Sequence, residues 1–420
     1  MAQKVTGPRG TQDVSPYESY KWLRLENKLR SIVGQYGFKE IRVPTFEHTE
    51  LFLRGVGDTT DIVNKEMYTF EDKGKRSITL RPEGTSPTVR SVLEKGILNE
   101  GTPLKAYYIL SCFRYEKPQA GRLREFHQLG IELFGAQDYT ADAEVIATGA
   151  KVLNDLGIGD KVKLNINSIG CPKCRPAYHQ KLKAYFASHR EELCEDCQAR
   201  LDKNPLRILD CKVPKCAEIA KDAPVGLDNL CDECKDHFEG LKKTLTAMGV
   251  DYSINTKIVR GLDYYTKSVF EFVYDGIGAQ GTVCGGGRYD GLFEELGGNH
   301  VPAVGFGMGI ERLLLTLEAE GKLNFKEEMP DVFFANIGEE AKIYAFTMAE
   351  KARYEGLSAQ SDLMNRSLNA QMKYANKIRA KYTVVLGDSE MESKKAVAKN
   401  METGEKKDID LEKSIKEQLF

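Results

Sequence analysis

Tyr107-Tyr108-Ile109-Leu110-Ser111-Cys112-Phe113-Arg114-Tyr115-Glu116 is followed by Lys117-Pro118-Gln119-Ala120-Gly121-Arg122 and then by Leu123-Arg124-Glu125-Phe126-His127-Gln128-Leu129-Gly130-Ile131-Glu132-Leu133-Phe134. Two long β-like runs around a turn-rich basic loop read as an antiparallel hairpin. Alternate residues of a strand share a face. Arg114 and Glu116 therefore point one way on the first strand, and Gln128 and Glu132 share a face on the second. Leu129, Ile131 and Leu133 take the opposite, core-facing side. A sheet face bearing Arg, Glu, Gln and Glu above a core suits a small charged ligand. The competing reading is a solvated face with cross-strand ion pairs.

Further arginines lie outside the hairpin. Arg81-Pro82-Glu83-Gly84-Thr85 ends a strand, Arg260-Gly261-Leu262-Asp263-Tyr264-Tyr265-Thr266 begins one, and Arg312 follows Gly305-Phe306-Gly307-Met308-Gly309. Arginine forks match phosphate and carboxylate oxygens, so several converging on one cleft imply polyanion chemistry. The glycines at 305, 307 and 309 permit close backbone approach, as at nucleotide sites, or close helix–sheet packing. There is no Gly-x-x-x-x-Gly-Lys-Ser/Thr string, no Gly-x-Gly-x-x-Gly opening a βαβ unit and no Gly-x-Ser-x-Gly elbow. These absences exclude P-loop, dinucleotide-fold and α/β-hydrolase chemistry. A nucleotide, if bound, sits on an antiparallel sheet and is held by arginines.

Around this centre the chain reads as α+β. Tyr17 to Val33 has helical apolar spacing and stops at Gly34 and Gly37. Ile41 to Pro44, Ser77 to Leu80, Tyr252 to Val259 and Tyr264 to Tyr274 have strand texture, and residues 139–157 are helical. Strand texture on both sides of a helical, charged insert implies one antiparallel-sheet domain interrupted in sequence. The expected divisions are 1–169 and 246–329 for the two parts of that domain, 170–245 for the insert, and 330–420 for a C-terminal domain. The last alternates strand (Val332 to Asn336), helix (Glu340 to Tyr354), strand, helix (Asn365 to Lys381) and strand (Thr383 to Leu386), a small α/β unit.

The 420 residues suffice for two to three domains at roughly 150 residues each. With 41% hydrophobic and 29% charged residues the chain is globular rather than disordered. No apolar run approaches the roughly 18 residues of a membrane span, and the first residues lack a signal-peptide core. A cytoplasmic protein without membrane or DNA partners is expected. The net charge of −2 argues against uniform nucleic-acid coating but leaves room for a local basic face. From Leu363 to Lys381 there are basic residues and no acids. At about 100° per residue, Arg366, Lys373, Lys377 and Lys381 fall within an arc of about 80°. That is a cationic stripe suited to RNA phosphates, set against the plainer reading of a solvated helix face.

Eight of the ten cysteines lie between Cys171 and Cys234. They form four pairs: Cys171-x₂-Cys174, Cys194-x₂-Cys197, Cys211-x₄-Cys216 and Cys231-x₂-Cys234. In a reducing cytosol this density points to metal before disulfides, and eight thiolates supply two tetrahedral zinc sites. Three pairings of the pairs are open, as is the alternative of free thiols.

The strings together resemble the histidyl-tRNA synthetase family, of bacterial type, within the class II aminoacyl-tRNA synthetases. Phe113 to Glu116 with Arg124 to Gln128 resembles the second class motif, Gly305 to Arg312 the third, and Gly37 to Thr45 the first. Arg260 to Thr266 and Gly285-Gly286-Gly287-Arg288-Tyr289-Asp290 narrow the resemblance to histidine, and Pro8 to Asp13 agrees with it. The resemblance implies an antiparallel catalytic core flanked by helices, an inserted helical module and a C-terminal α/β anticodon-binding domain. It implies a homodimer that joins L-histidine to tRNA(His) with ATP and Mg²⁺. By the same resemblance Arg260 and Arg114 are catalytic, and Arg114, Glu116, Phe126 and Arg312 bind ATP. Glu83, Gly84, Thr85, Gln128, Glu132, Tyr264, Tyr265 and Tyr289 bind histidine, and Glu271 lies near Mg²⁺. Arg122, Arg366, Lys373 and Lys377 are the candidates for tRNA. The family's insert often lacks the cysteines, so any zinc is structural.

Two rivals remain. One is a catalytically inactive regulatory relative, which usually lacks the C-terminal domain and much of the ATP site. The other, a zinc-dependent RNA-binding module, leaves the arginine cleft unexplained.

Overall fold

The computed structural model describes residues 4–57, 60–209, 211, 213–258 and 262–420. Arg260, Gly261 and Val259 lie outside these residues. The described chain divides into one unit of residues 1–325 and another of 326–420.

The strands of the first unit are β1 (Lys39–Glu40), β2 (Phe46–His48), β3 (Tyr68–Glu71), β4 (Ser77–Leu80), β5 (Leu104–Phe113), β6 (Glu125–Phe134), β7 (Lys163–Ser168), β8 (Ser253–Ile254), β9 (Thr266–Val273), β10 (Thr282–Arg288) and β11 (Ala303–Gly309). Eight of them form one sheet in the order β1-β5-β6-β11-β10-β9-β7-β8. Its central pairs are antiparallel, and only the two-residue edge strands β1 and β8 pair in parallel. A smaller sheet, β2-β4-β3, stands apart from it.

One face of the large sheet is covered by helices. Leu129, Ile131 and Leu133 on β6 and Phe306 and Met308 on β11 are buried against Leu25, Leu29 and Val33 of the helix Ser19–Gln35 and Val145, Ile146 and Val152 of the helix Tyr139–Asp155. The second helix starts where Asp138 accepts a hydrogen bond from the Thr140 N–H at 2.9 Å, a side-chain cap. Burial of this face is what the alternating pattern of β6 specifies. The inserted segment carries its own small core, with Leu182, Phe186, Leu201 and Ile208 buried around Cys197 and Cys216.

Three expected strands are shorter than their texture suggests. Ile41 to Pro44 is extended but unpaired in any ladder, because the Val43 and Pro44 carbonyls accept from the Arg81 guanidinium, both at 2.9 Å. Arg81 also donates to the Ser111 carbonyl, so it ties loops together rather than facing a ligand. Tyr252 to Val259 contributes only Ser253–Ile254, since the Asn255 side chain accepts from the Lys257 N–H and turns the chain. The first hairpin strand ends at Phe113, and Arg114 and Glu116 lie beyond it. There the Tyr115 N–H turns to the Glu66 carbonyl at 2.7 Å.

The second unit holds β12 (Val332–Asn336), β13 (Ala359–Ser361), β14 (Tyr382–Leu386), β15 (Lys395–Asn400) and β16 (Lys406–Asp410), ordered β13-β12-β14-β15-β16. The first three pair in parallel and the last two antiparallel. The helix expected over Asn365 to Lys381 spans only Leu368–Lys377. Asp362 accepts from the Met364 and Arg366 backbone N–H groups, a turn that competes with helix start.

Candidate active site

The uncovered face of the large sheet is a floor made largely of glycine. Across β6, β11 and β10 the paired positions are Gly130 opposite Gly307, Glu132 opposite Gly305, and Gly285 and Gly287 opposite Gly307 and Gly305. A Cβ on Gly305 would lie 2.0 Å from Glu132 Oε2, and one on Gly307 2.2 Å from Gln128 Nε2. A Cβ on Gly130 would strike the Tyr108 ring at 2.0 Å. These glycines clear room for three functional side chains of neighbouring strands. Gly307 and Gly309 also line the cleft described next, so room for these side chains and close approach of a ligand are compatible.

Glu132 is 1% exposed and sits at the bottom of this floor. Its Oε1 accepts from Thr85 Oγ1 at 2.8 Å and Tyr108 OH at 3.1 Å, and its Oε2 from Tyr289 OH. Burial pushes the carboxyl up to about 8 in spite of these three donors. Tyr289 is positioned by its neighbour Arg288, a fully buried side chain bonded to Asp142, to Asp290 and to the Ala136 carbonyl. The Tyr264, Tyr265 and Tyr289 rings pack together, with centroids 4.7 Å apart for the first two and 5.4 Å for Tyr264 and Tyr289. Glu83 accepts from the Thr85 and Ser86 N–H groups at 2.6 and 2.9 Å, capping the helix Thr85–Glu94. Gly84, just before that helix, faces the Tyr108 ring, 2.4 Å from where a Cβ would stand.

A cleft runs from this floor toward the hairpin loop. It is lined by Glu83, Thr85, Gln128, Tyr264 and Tyr265 at one end and by Arg114, Glu116, Arg122, Phe126 and Arg312 at the other. Arg114 donates through Nε to the Pro82 carbonyl at 2.8 Å, and its guanidinium lies 5.2 Å from the Phe126 ring centroid. Arg312 donates to the Gly121 and Thr282 carbonyls at 2.9 and 2.5 Å. Burial and then the neighbouring Arg114 make the Arg312 proton easier to lose than usual. Arg122 is ion-paired with Glu116 inside the cleft rather than set on an outer surface. Glu271, on β9, accepts from Thr282 Oγ1 at 3.4 Å. The sequence reasoning missed Tyr108 as a site residue. A tyrosine facing Gly130 across the hairpin was the available signal.

The cysteines fall into two groups, Cys171, Cys174, Cys231 and Cys234, and Cys194, Cys197, Cys211 and Cys216. The first pair thus joins the fourth and the second joins the third. In the first group the Sγ atoms of Cys171–Cys174, Cys171–Cys231 and Cys174–Cys234 are 3.8, 3.8 and 3.9 Å apart. Zn–S bonds of about 2.3 Å in a tetrahedron place sulfurs roughly 3.8 Å apart. In the second group Cys194 and Cys211 are 3.9 Å apart. Both donor sets fit a tetrahedral thiophilic ion.

In the second unit Arg366 is engaged by Asp362 at 2.6 Å and stacks 4.3 Å from the Tyr374 ring centroid, and Lys381 pairs with Asp331 at 2.7 Å. Arg366 precedes the helix and Lys381 follows it, so the stripe reduces to Lys373 and Lys377, both exposed. Of the acids that neutralise its ends, Asp362 directly precedes the acid-free stretch, whereas Asp331 lies 50 residues before Lys381.

An antiparallel sheet with a buried carboxylate under a glycine floor and a cleft ending in arginines agrees with the class II aminoacyl-tRNA synthetase core that the sequence resemblance implies. Residues 10–313 match the family model described as histidyl-tRNA synthetase, and residues 331–418 match the anticodon binding domain. The histidine–tRNA ligase of Caldanaerobacter subterraneus subsp. tengcongensis is 59% identical over 412 residues, covering 97% of this chain and 99% of that one. The histidine–tRNA ligase of Acetivibrio thermocellus is 56% identical over 408 residues, with 97% and 98% covered. The structure of apo S. aureus histidyl-tRNA synthetase superposes with a TM-score of 0.83 at 40% identity, covering 97% and 98% of the two chains. A structure titled ATP phosphoribosyltransferase regulatory subunit/histidyl-tRNA synthetase, from Bacillus halodurans C, shares the fold at 22% identity and a TM-score of 0.64. The chain belongs to the histidyl-tRNA synthetase family. It is an aminoacyl-tRNA synthetase whose activity is histidine–tRNA ligation. Class II synthetases use ATP and Mg²⁺, and among the described residues no helix is long and apolar enough to cross a membrane.

Proposed function

We propose that the cleft assigns its two ends to the two substrates of the first half-reaction. Glu132 and Tyr264, with Tyr265 and Tyr289 beside them, read the imidazole. Glu83, Thr85 and Gln128 hold the α-amino and carboxylate groups, with Gly84 keeping that turn close to Tyr108. Arg114 grips the ATP α-phosphate and Arg312 the γ-phosphate, Phe126 stacks on the base and Glu116 meets its amino group. Arg260, outside the described residues, is the second catalytic cation at the α-phosphate. The observation that carries this reading is a single cleft lined at one end by Thr85 and Tyr108, both donors to the buried Glu132, and at the other by Arg114 and Arg312. A site built for such hydrogen bonds rejects side chains that leave them unpaired.

A histidine carboxylate oxygen attacks the α-phosphorus in line, the bond to the β-phosphate oxygen breaks, and pyrophosphate leaves. Positioning and fixed positive charge supply the catalysis, with no covalent enzyme intermediate. Mg²⁺ bound to the nucleotide neutralises phosphate charge. In the second step the terminal ribose hydroxyl of tRNA(His) attacks the histidyl carbonyl carbon of the adenylate, the bond from that carbon to the phosphate oxygen breaks, and AMP leaves. ATP–pyrophosphate exchange with each of the twenty amino acids tests the reading: exchange depends on histidine alone. No exchange from folded protein would return the chain to the regulatory class.

Zinc in both cysteine groups is proposed on the sulfur spacing. Mass spectrometry of the native chain is expected to find two zinc ions per chain, released together with loss of helical signal by a strong chelator. Lys373 and Lys377 are proposed to meet tRNA phosphates. The double substitution Lys373→Glu and Lys377→Glu raises KM for tRNA about tenfold or more while leaving pyrophosphate exchange unchanged. Unchanged tRNA charging would remove the helix from the interface. A homodimer is inferred from exposed Phe46, Leu53 and Phe70 on the β2-β4-β3 sheet and the adjoining helix Thr49–Val56, checked by sedimentation.

A further inference from the structure

We propose that Arg175, anchored at the first cysteine centre, positions the histidine-recognition segment, so that histidine affinity depends on a centre that touches no substrate. The proposal rests on the assignment of the tyrosine end of the cleft to histidine. Arg175 follows Cys174 directly, and its N–H donates to the Cys171 carbonyl at 3.0 Å. Its Nη2 donates to the Tyr265 carbonyl at 2.6 Å and to the Gly170 carbonyl at 3.3 Å. Gly170 directly precedes Cys171, and its carbonyl also accepts from the Lys267 N–H at 2.9 Å and Thr266 Oγ1 at 3.2 Å. The other limb of the centre joins in: Glu233, between Cys231 and Cys234, accepts from Lys267 Nζ at 2.9 Å.

Both limbs of the four-sulfur cluster are therefore tied to residues 265–267, the backbone that carries Tyr264 and Tyr265 against Tyr289. Lys267 holds a positive φ of 50°, a conformation that a non-glycine residue keeps only where its surroundings enforce it. The second cysteine group reaches the adjoining Asp263. Asn204 Nδ2 donates to Asp263 Oδ1 at 3.2 Å and Arg207 stands 3.9 Å from Asp263, both residues lying between Cys197 and Cys211. The insert is thus a clamp on one wall of the histidine end, and an ion that fixes the sulfurs fixes the clamp.

The test compares Arg175→Met and Cys174→Ser with the parent chain by pyrophosphate exchange, with metal content measured alongside. Arg175→Met is expected to keep the parent's metal content and raise the histidine KM about tenfold, with the ATP KM and kcat within about twofold. Arg175→Lys, which keeps one donor, falls between. Cys174→Ser loses one ion per chain and raises the histidine KM similarly. An unchanged histidine KM in Arg175→Met overturns the proposal, as does a joint rise in both KM values with falling kcat, which would mark general collapse. A raised histidine KM in Arg175→Met with none in Cys174→Ser also overturns the dependence on the centre. A parent chain without metal in which Arg175→Met still raises only the histidine KM refutes zinc and supports the positioning role. A parent without histidine-dependent exchange fails at the assignment of the cleft and takes the proposal with it.

Discussion

Glu132→Gln lowers kcat/KM for histidine in pyrophosphate exchange by about 10³-fold and, above pH 8, makes the chain more stable than its parent. The activity loss follows from the buried pocket: glutamine puts an NH₂ donor in place of one of the two oxygens that already serve Thr85, Tyr108 and Tyr289, so fewer acceptors remain for an imidazole N–H. The stability gain has the opposite origin. The folded carboxyl titrates at about 8, above its ordinary 4.5, because burial disfavours its charge. Between those two values the folded chain holds a proton that the unfolded chain has released. Stability therefore falls as pH rises through that window. Glutamine removes the slope, a gain on the order of 5 kcal/mol at most at pH 9 and less than about 1 kcal/mol at pH 5. Thermal unfolding at the two pH values checks it, and a variant less stable than the parent at both would refute the burial argument.

A site that destabilises its own fold is what selective recognition of a small polar side chain requires. The pocket holds the Glu132 carboxyl dry so that a polar partner meets it with no water competing. Tyr289 and its neighbour Arg288 show how the fold compensates. Asp142 and Asp290 neutralise the buried guanidinium, and that pair sets the backbone from which Tyr289 reaches Glu132.

The hairpin, the helices behind it and the clustered cysteines were legible because each is written in local spacing: period two in β6, helical period in Ser19–Gln35, and Cys-x₂-Cys pairs. What escaped depends on partners distant in sequence. Arg81 looked like a phosphate ligand until three carbonyls from two other segments claimed it. Arg366 and Lys381 looked free because Asp362 and Asp331 stood outside the stretch being read. The joining of Cys171 to Cys231 rather than to Cys194 is set by the helix Asp232–Ala247 returning to the sheet, which no spacing encodes. The hairpin β15–β16 was missed because Lys395-Ala396-Val397-Ala398-Lys399-Asn400 buries only alanines, Ala396 and Ala398, and is otherwise mostly residues of weak strand preference.

Gly305→Ala should cost the enzyme at least 10²-fold in histidine-dependent exchange and lower its melting temperature by several degrees. The new methyl would sit 2.0 Å from Glu132 Oε2 and 2.4 Å from the Ile131 carbonyl. The side-chain clash could be relieved by turning Glu132 away from Tyr289, which removes the imidazole acceptor. The carbonyl clash cannot be relieved so locally, because Ile131 belongs to β6, paired along its length with β11. Overpacking of this kind costs about 1–3 kcal/mol or more. Gly309→Ala is the control for stability: its Cβ would come no nearer than 3.6 Å to Arg312, an ordinary contact. If the floor existed to let the sheet backbone approach the nucleotide, both substitutions would raise the ATP KM. If it exists to seat Glu132, only Gly305→Ala melts early, and its defect appears in histidine rather than ATP.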